Sequence, residues 1–398
     1  MLNNLWRHIP IYLLITWLLF FGQGVYAQES RQAPLRLWDE GQTDSPGNKD
    51  IRLGMSYYYN FEFDKALARF DRLVSQHPRN PIGYFFKAET YWWMTLNKED
   101  DPELHEKFRE AALWAISYAN RRLEENPDDT EALFILGMCH SRIGMLLGRA
   151  GDKSATASKT MEGRSHLLKA IQKDPSLFDC YAPLGIYDYY IATQSTVVRV
   201  FSALLYRLWG GKEEGMNKLE LAAEKGVYSR HEAKFYLALF YIKFEERYQE
   251  AESILSELHQ MYPNNFSFYG MLAYTKLKLK NYTQAISMYE EILHKAQEQD
   301  IYGKEGLDTT LYFYSEALRR AERYEEALQV LKQIIESNAG ENNWLLSYGH
   351  LDAGRCYDML GQREEAIAEY ENVIRLKSFG KSRQKAREYL KSPYVVGN

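Results

Sequence analysis

The sequence predicts an all-α solenoid of about eight helical hairpins, closed by a C-terminal capping helix. Three observations predict it. Apolar residues recur at the 3.6-residue helical period in a background of Ala, Leu, Glu, Lys and Tyr, and alternating β-branched runs are missing. Two short motifs alternate along the chain: a small residue that in its clearest copies precedes a ring by three positions, then Ala with a large apolar residue four positions on. Helix breakers stand between successive pairs. The 398 residues are 45% apolar and 26% charged, which supplies a core and excludes wholesale disorder. A formal net charge of -5 offers no basic surplus for a nucleic-acid partner. The 31 Tyr, 18 Phe and 8 Trp exclude collagen-like, coiled-coil and low-complexity chains.

Residues 1–27 read as a secretory signal. Arg7 and His8 precede a mostly apolar run from Ile11 to Phe21, and Val25-Tyr26-Ala27 sets small residues where signal peptidase inspects. That run falls short of the roughly 20 residues a membrane span needs. No cysteine stands near the cleavage point and no paired arginines precede the run, which argues against lipidation and twin-arginine export. The mature chain is expected to begin near Gln28 and to be periplasmic or extracellular. Residues 28–47 contain Pro34 and end in Asp44-Ser45-Pro46-Gly47, so they read as an extended leader.

The first hairpin, 48–80, carries Leu53-Gly54-x-x-Tyr57, Ala66-x-x-x-Phe70 and Pro78. Three longer units follow at 81–127, 128–175 and 176–226, ending at Asn126-Pro127, Asp174-Pro175 and Lys225-Gly226. Regular units return at 231–263 (Leu237-Ala238-x-x-Tyr241, Ala251-x-x-x-Leu255), 266–299 (Leu272-Ala273, Ala285-x-x-x-Tyr289), 308–341 (Tyr314-Ser315, Ala327-x-x-x-Leu331) and 347–378 (Gly354-x-x-Tyr357, Ala366-x-x-x-Tyr370). The two small residues of a unit lie 12 apart in Gly54 to Ala66, Ala273 to Ala285, Ser315 to Ala327 and Gly354 to Ala366, and 13 apart in Ala238 to Ala251. In the longer units the spacing grows to 27 (Ala88 to Ala115), 26 (Gly137 to Gly163) and 30 (Gly185 to Gly215), which requires longer helices or inserted loops. A small residue where helices cross lets the backbones approach, and large ones beside it fill the gap. The polar, low-bulk run Lys153 to Lys159 reads as a loop, and residues 381–392 as a polar capping helix.

These motifs and their spacing are similar to the tetratricopeptide repeat. The resemblance implies a right-handed superhelix in which the first helix of each hairpin lines the concave face. Projecting its phase onto this chain places Tyr58, Tyr59, Phe85, Phe86, Trp92, Trp93, Phe134, Tyr189, Tyr190, Phe235, Tyr236, Tyr274, Tyr312, Phe313, Arg319, Arg320 and Arg355 on that face. Rings and arginines carry much of the energy of interfaces, so the track is expected to hold an extended peptide or an amphipathic helix. The carboxylate clamp of chaperone-binding members is not implied, because the matching positions are Met55, Glu89, Met138, Ile186, Leu239, Tyr274, Glu316 and Arg355, with no Asn. The stretches Leu184 to Tyr190, Gly210 to Met216 and Ala222 to Gly226 resemble a divergent tetratricopeptide group that includes inclusion-body clearance proteins, a match over about a tenth of the chain that transfers no activity.

Catalytic patterns are missing. Gly210-Gly211-Lys212 lacks the earlier Gly and the following Ser or Thr of a P-loop. His231-Glu232 is followed by Phe235 where a zinc protease has its second His. The other histidines of the mature chain, His77, His105, His140, His166, His259, His294 and His350, read as scattered. The recurring acidic pairs, such as Glu325-Glu326, suit helix starts and solvated faces. Cys139, Cys180 and Cys356 form no CxxC and read as buried thiols. The expected function is a non-catalytic exported scaffold with a protein or peptide partner and no cofactor or metal. The alternative is a membrane-proximal lipid or glycan binder using the apolar 196–209 segment, with Arg199 and Arg207, and the Tyr-rich surface.

Overall fold

The computed structural model describes residues 46–98, 101–193, 211–298, 303–340, 343–377 and 379–396. Seventeen α-helices are described, and no strand occurs among these residues. Eight antiparallel hairpins follow one another: α1 (Pro46–Tyr59) with α2 (Phe63–Gln76), α3 (Pro81–Asn97) with α4 (Pro102–Glu125), α5 (Thr130–Arg149) with α6 (Lys153–Lys173), and α7 (Tyr181–Ala192) with α8 (Lys212–Lys225). Then come α9 (Arg230–Phe240) with α10 (Tyr248–Met261), α11 (Phe266–Lys278) with α12 (Tyr282–Glu298), α13 (Lys304–Arg320) with α14 (Tyr324–Ser337), and α15 (Trp344–Met359) with α16 (Arg363–Arg375). The last helix, α17 (Ser382–Lys391), packs on the eighth hairpin as the cap. The expected signal, most of the expected leader and the 196–209 segment lie outside the described residues.

Local chemistry starts the helices. Asn80, Asp101, Asp129, Asp152, Asn265 and Asn343 each accept a hydrogen bond from a backbone N–H of the following first turn. Pro81 and Pro102 occupy first-turn positions, where the missing N–H costs nothing. Six hairpin turns repeat one left-handed residue two positions before the second helix: Phe61 (φ 60°), Gly151 (φ 82°), Glu246 (φ 54°), Lys280 (φ 65°), Glu322 (φ 62°) and Gly361 (φ 74°). Two of the six are glycine. One carboxylate pins the turn between α8 and α9: Asp179 Oδ1 accepts from the amides of Val227, Tyr228 and Ser229 at 2.7–2.8 Å and from the Ser229 hydroxyl at 2.9 Å.

The crossings follow the small residues. A Cβ on Gly54 would meet the Phe70 ring at 2.3 Å, and one on Gly354 the Tyr370 ring at 2.5 Å. Within the third hairpin Gly137 and Gly163 face each other, with the Gly137 carbonyl 2.7 Å from a Cβ placed on Gly163. Lys153 to Lys159 is the first two turns of α6, not a loop. Its small side chains let α6 lie against α5, where a Cβ on Gly144 would meet Thr160 Oγ1 at 2.3 Å and the Thr156 carbonyl at 3.3 Å. The turn expected at Pro46-Gly47 is likewise the start of α1.

The arc closes on itself. The Tyr59 hydroxyl donates to the Tyr228 carbonyl at 3.4 Å, and Asn265 Nδ2 donates to the Tyr59 carbonyl at 2.8 Å. The Asn264 amide donates to Asn60 Oδ1 at 3.1 Å, and the Gly303 amide to the Asn97 carbonyl at 2.8 Å. Around these bonds, Trp93 meets Phe268, Tyr59 meets His231 and Tyr262, and Phe86 meets Tyr228, with ring centroids 5.2–6.0 Å apart. The inner face of the first three hairpins is thereby seated on α9, the end of α10 and the start of α11. The helix α5, long and apolar enough to cross a membrane, is mostly buried in this fold.

Candidate functional site

The closure decides the fate of the expected docking track. Tyr58, Tyr59, Phe85, Phe86, Trp92, Trp93, Phe134, Tyr189, Tyr236, Tyr274, Tyr312, Phe313 and Arg319 are buried, while Tyr190, Phe235 and Arg355 are half-buried and Arg320 is exposed. The expectation of an open ring-lined groove is corrected: the rings form the core between the helices of the arc. In the first three hairpins they do so because other hairpins fill the hollow they line. Adjacent pairs such as Tyr58-Tyr59 and Trp92-Trp93 are both buried because one ring faces the hairpin's own layer and the next faces the hairpins across the hollow. Trp92 meets Phe108 at 5.8 Å, whereas Trp93 meets Phe235 at 6.5 Å.

A buried ionic node fastens the same seam. Arg142 of α5 directs Nε and Nη2 to Glu89 of α3 at 3.1 and 2.9 Å, and Nη2 to both oxygens of Glu232 of α9 at 2.7 and 2.8 Å. Its guanidinium lies over Trp92, 5.1 Å from the ring centroid. All three charged groups are buried. Burial opposes the arginine's charge, but Glu232 and Glu89 hold it firmly protonated. Burial pushes the Glu232 carboxyl above its ordinary range against the pull of Arg142. A second node sits in the last hairpins, where Asp352 accepts from the Tyr312 hydroxyl at 2.9 Å and from Arg355 at 2.6 Å, with Arg319 at 3.4 Å. The chain after α17 returns over it, with Tyr394 stacked on Arg355 and its amide donating to Asp358 at 2.7 Å.

A concavity stays open at the seam. A cleft of about 490 Å³ lies between the α1–α2 turn, the α3–α4 junction and the α10–α11 turn. Phe61, Phe63, Met94, Leu104 and Phe266 give it apolar walls, and Asn60, Asn97 and Asn264 bring side-chain amides. Lys98, Asp101, Glu103 and Lys107 add charge of both signs. None of these residues was legible as a site, because three turns far apart in sequence build it. On the outer surface Tyr84, Trp114 and Tyr118 form an offset stack with centroids 5.3–6.1 Å apart. Trp114 is 47% exposed and Leu113 beside it 54%.

The histidines are less scattered than the sequence suggested. The Gly137–Gly163 crossing sets an antiparallel register that brings His140 of α5 against Glu162 and His166 of α6. Among the described residues this is the group with the donor set and spacing for a metal ion. The three cysteines are free and buried, as expected, and burial raises each thiol, that of Cys356 to about 12. His231 is spent in the seam: its Nδ1 is 3.0 Å from the Tyr262 hydroxyl, and burial pushes it down to about 4.

Profiles of the tetratricopeptide repeat match residues 51–92, 245–304 and 349–376. With the eight stacked hairpins, these matches make the chain a tetratricopeptide-repeat protein. No curated protein matches the sequence. Among solved structures, a chain of the APC/C hetero-tetramer Cut9–Hcn1 is similar at 13% identity and TM-score 0.56, over 90% of this chain and 57% of that one. This chain therefore spans little more than half of that relative's length. PilF of Pseudomonas aeruginosa is similar at 19% identity over 64% of this chain and 97% of that one, TM-score 0.41. Yeast Tom70 is similar at 12% identity over 89% of each chain, TM-score 0.41. At such identities the likeness to Cut9–Hcn1 speaks to the fold.

Proposed function

We propose that this protein is a non-catalytic, exported scaffold that holds an extended polypeptide partner, and that it does so at the seam cleft rather than along the ring track. The observation that carries this reading is the closure. Because the rings of the first three hairpins are committed to the fold, a partner needs another concavity, and the 490 Å³ cleft among the described residues is within the size range of ligand pockets. Its mixture of apolar walls and amides suits an extended chain, which offers side chains and main-chain donors and acceptors together. Repeat solenoids of this family are built for such contacts, and the mixed charge at the rim suits a zwitterionic partner surface better than a polyanion.

A photo-cross-linking residue at Met94 or Lys107, compared with one at the exposed Gln329 on α14, tests the docking site in the native host. A single discrete polypeptide adduct from the cleft positions and none from Gln329 supports it. Adducts only from other faces overturn it. Export is tested by N-terminal sequencing of the processed chain, expected to begin near Gln28. A second reading, contact with a glycan or lipid surface, draws on the exposed Trp114 and its stack with the half-buried Tyr84 and Tyr118. Liposome flotation and glycan arrays with Trp114→Ala separate it from the first.

A further inference from the structure

The geometry points to a transition-metal site in the third hairpin, formed by His140, Glu162 and His166 and suited to zinc. One ring nitrogen of each histidine and one carboxylate oxygen lie within 4.8 Å of one another. His140 Nε2 stands 3.2 Å from Glu162 Oε1. Two ligands about 2.05 Å from a tetrahedral zinc lie about 3.3 Å apart, so that pair already has the bite the metal needs. Glu162 and His166 are four residues apart on α6 and share one face of it, while His140 comes from the facing helix. Two imidazoles and one carboxylate favour zinc or another late first-row ion over calcium or magnesium, which take oxygen shells.

A second observation concerns the histidines. His140 is only 5% exposed, and its Nδ1 and that of His166 are buried without a hydrogen-bond partner. A buried ring nitrogen left without a partner costs free energy. Lys159 Nζ binds the other Glu162 oxygen at 2.8 Å, which turns Oε1 inward. Lys159 and Lys169 are the cations facing the group. Lys159 is partly exposed and Lys169 exposed, so both can yield to water as a divalent ion enters. Three protein ligands leave one position for water or for a partner's side chain. Bound zinc would staple α5 to α6 beside their tightest contact.

The test is calorimetric titration of the EDTA-stripped, full-length exported chain with zinc chloride, repeated with calcium chloride and followed by cobalt(II) absorption. One equivalent of zinc, a raised melting midpoint, a tetrahedral cobalt spectrum and no calcium heat are expected. His166→Gln and Glu162→Gln should each weaken zinc binding at least tenfold, with unchanged helical circular dichroism, whereas the exposed control His294→Gln should not. Absence of zinc heat overturns the site, as does binding that survives in the His166→Gln/Glu162→Gln double variant or is matched by calcium. If His166→Gln fails to fold, the more exposed Glu162 carries the same test alone.

Discussion

Arg142→Met removes the one cation between two buried carboxylates. The side chain keeps its approximate volume and its packing on Trp92, so what is lost is charge and the hydrogen bonds that Nε and Nη2 donate to Glu89 and Glu232, one of them shared between acceptors. Deleting one partner of a buried ion pair costs about 3–5 kcal/mol, because the remaining charge is left without compensation. That is a large part of the roughly 5–15 kcal/mol by which domains are stable, and corresponds to a midpoint fall of roughly 5–10 °C. The loss should depend on pH. Burial already raises the Glu232 carboxyl in the folded state, and the variant raises it further, above its unfolded value near ~4.3. A group whose folded value is raised contributes stability that is present below the unfolded value and is lost as pH rises through the folded one. The gap between wild type and variant is therefore small at pH 4 and full at pH 8. Urea unfolding followed by tryptophan fluorescence reads both quantities. Adding Glu89→Gln and Glu232→Gln to Arg142→Met should restore more than half of the loss at pH 8. A gap below about 1 kcal/mol, or one that does not change with pH, would refute the role given to the node.

Further outcomes follow from single positions. Asn265 and Asn281 both stand in Asn-x-Ser/Thr sequons, but Asn265 is fully buried, caps α11 and ties Tyr59, whereas Asn281 is exposed. Expression in a glycosylating host should modify the folded chain at Asn281 alone, which peptide mapping reads, and Asn265→Ala should cost about 2 kcal/mol for the lost cap and tie. Glu322→Gly and Lys280→Gly relieve left-handed strain and should each raise stability by up to about 1 kcal/mol, as chemical denaturation would show. Gly215→Ala does the reverse, since its Cβ would lie 2.5 Å from the Tyr189 amide nitrogen; a loss of at least about 1–3 kcal/mol is expected from overpacking. Native Cys139, Cys180 and Cys356 should resist Ellman's reagent at pH 8 and react fully in guanidinium, because burial raises all three thiols.

The helices, their pairing and their crossing residues were legible because they are local. A spacing of 12 between Gly54 and Ala66 is set by one hairpin, and Gly54 meets Phe70 within it. The elongated hairpins were legible as spacing, and α3 and α4 realise theirs with 17 and 24 helical residues. The start of α6 was misread because small polar residues imply a loop only when nothing approaches them; here Thr156 and Thr160 are small so that Gly144 can come close. The repeat phase turned the ring track toward the hollow but could not show what fills it. The filling contacts join Tyr59 to Tyr228 and Asn265, 169 and 206 residues away, and no periodicity encodes them. The cleft and the histidine group share that origin, each assembled from separate elements. One signal was available for the histidines: once Gly137 and Gly163 are paired antiparallel, His140 must face Glu162.

Closure of the arc is tested most directly by an engineered cross-link between its two sides. Asn60 and Asn264 touch across the seam, and the native thiols are buried and do not compete. The Asn60→Cys/Asn264→Cys variant, oxidised while folded, should form one intramolecular disulfide, migrate faster on a non-reducing gel and unfold at higher urea than its reduced form. Two cysteines that both react with maleimide in the native state yet never cross-link would mean that the first hairpin stands away from the sixth, and that the ring track is open after all.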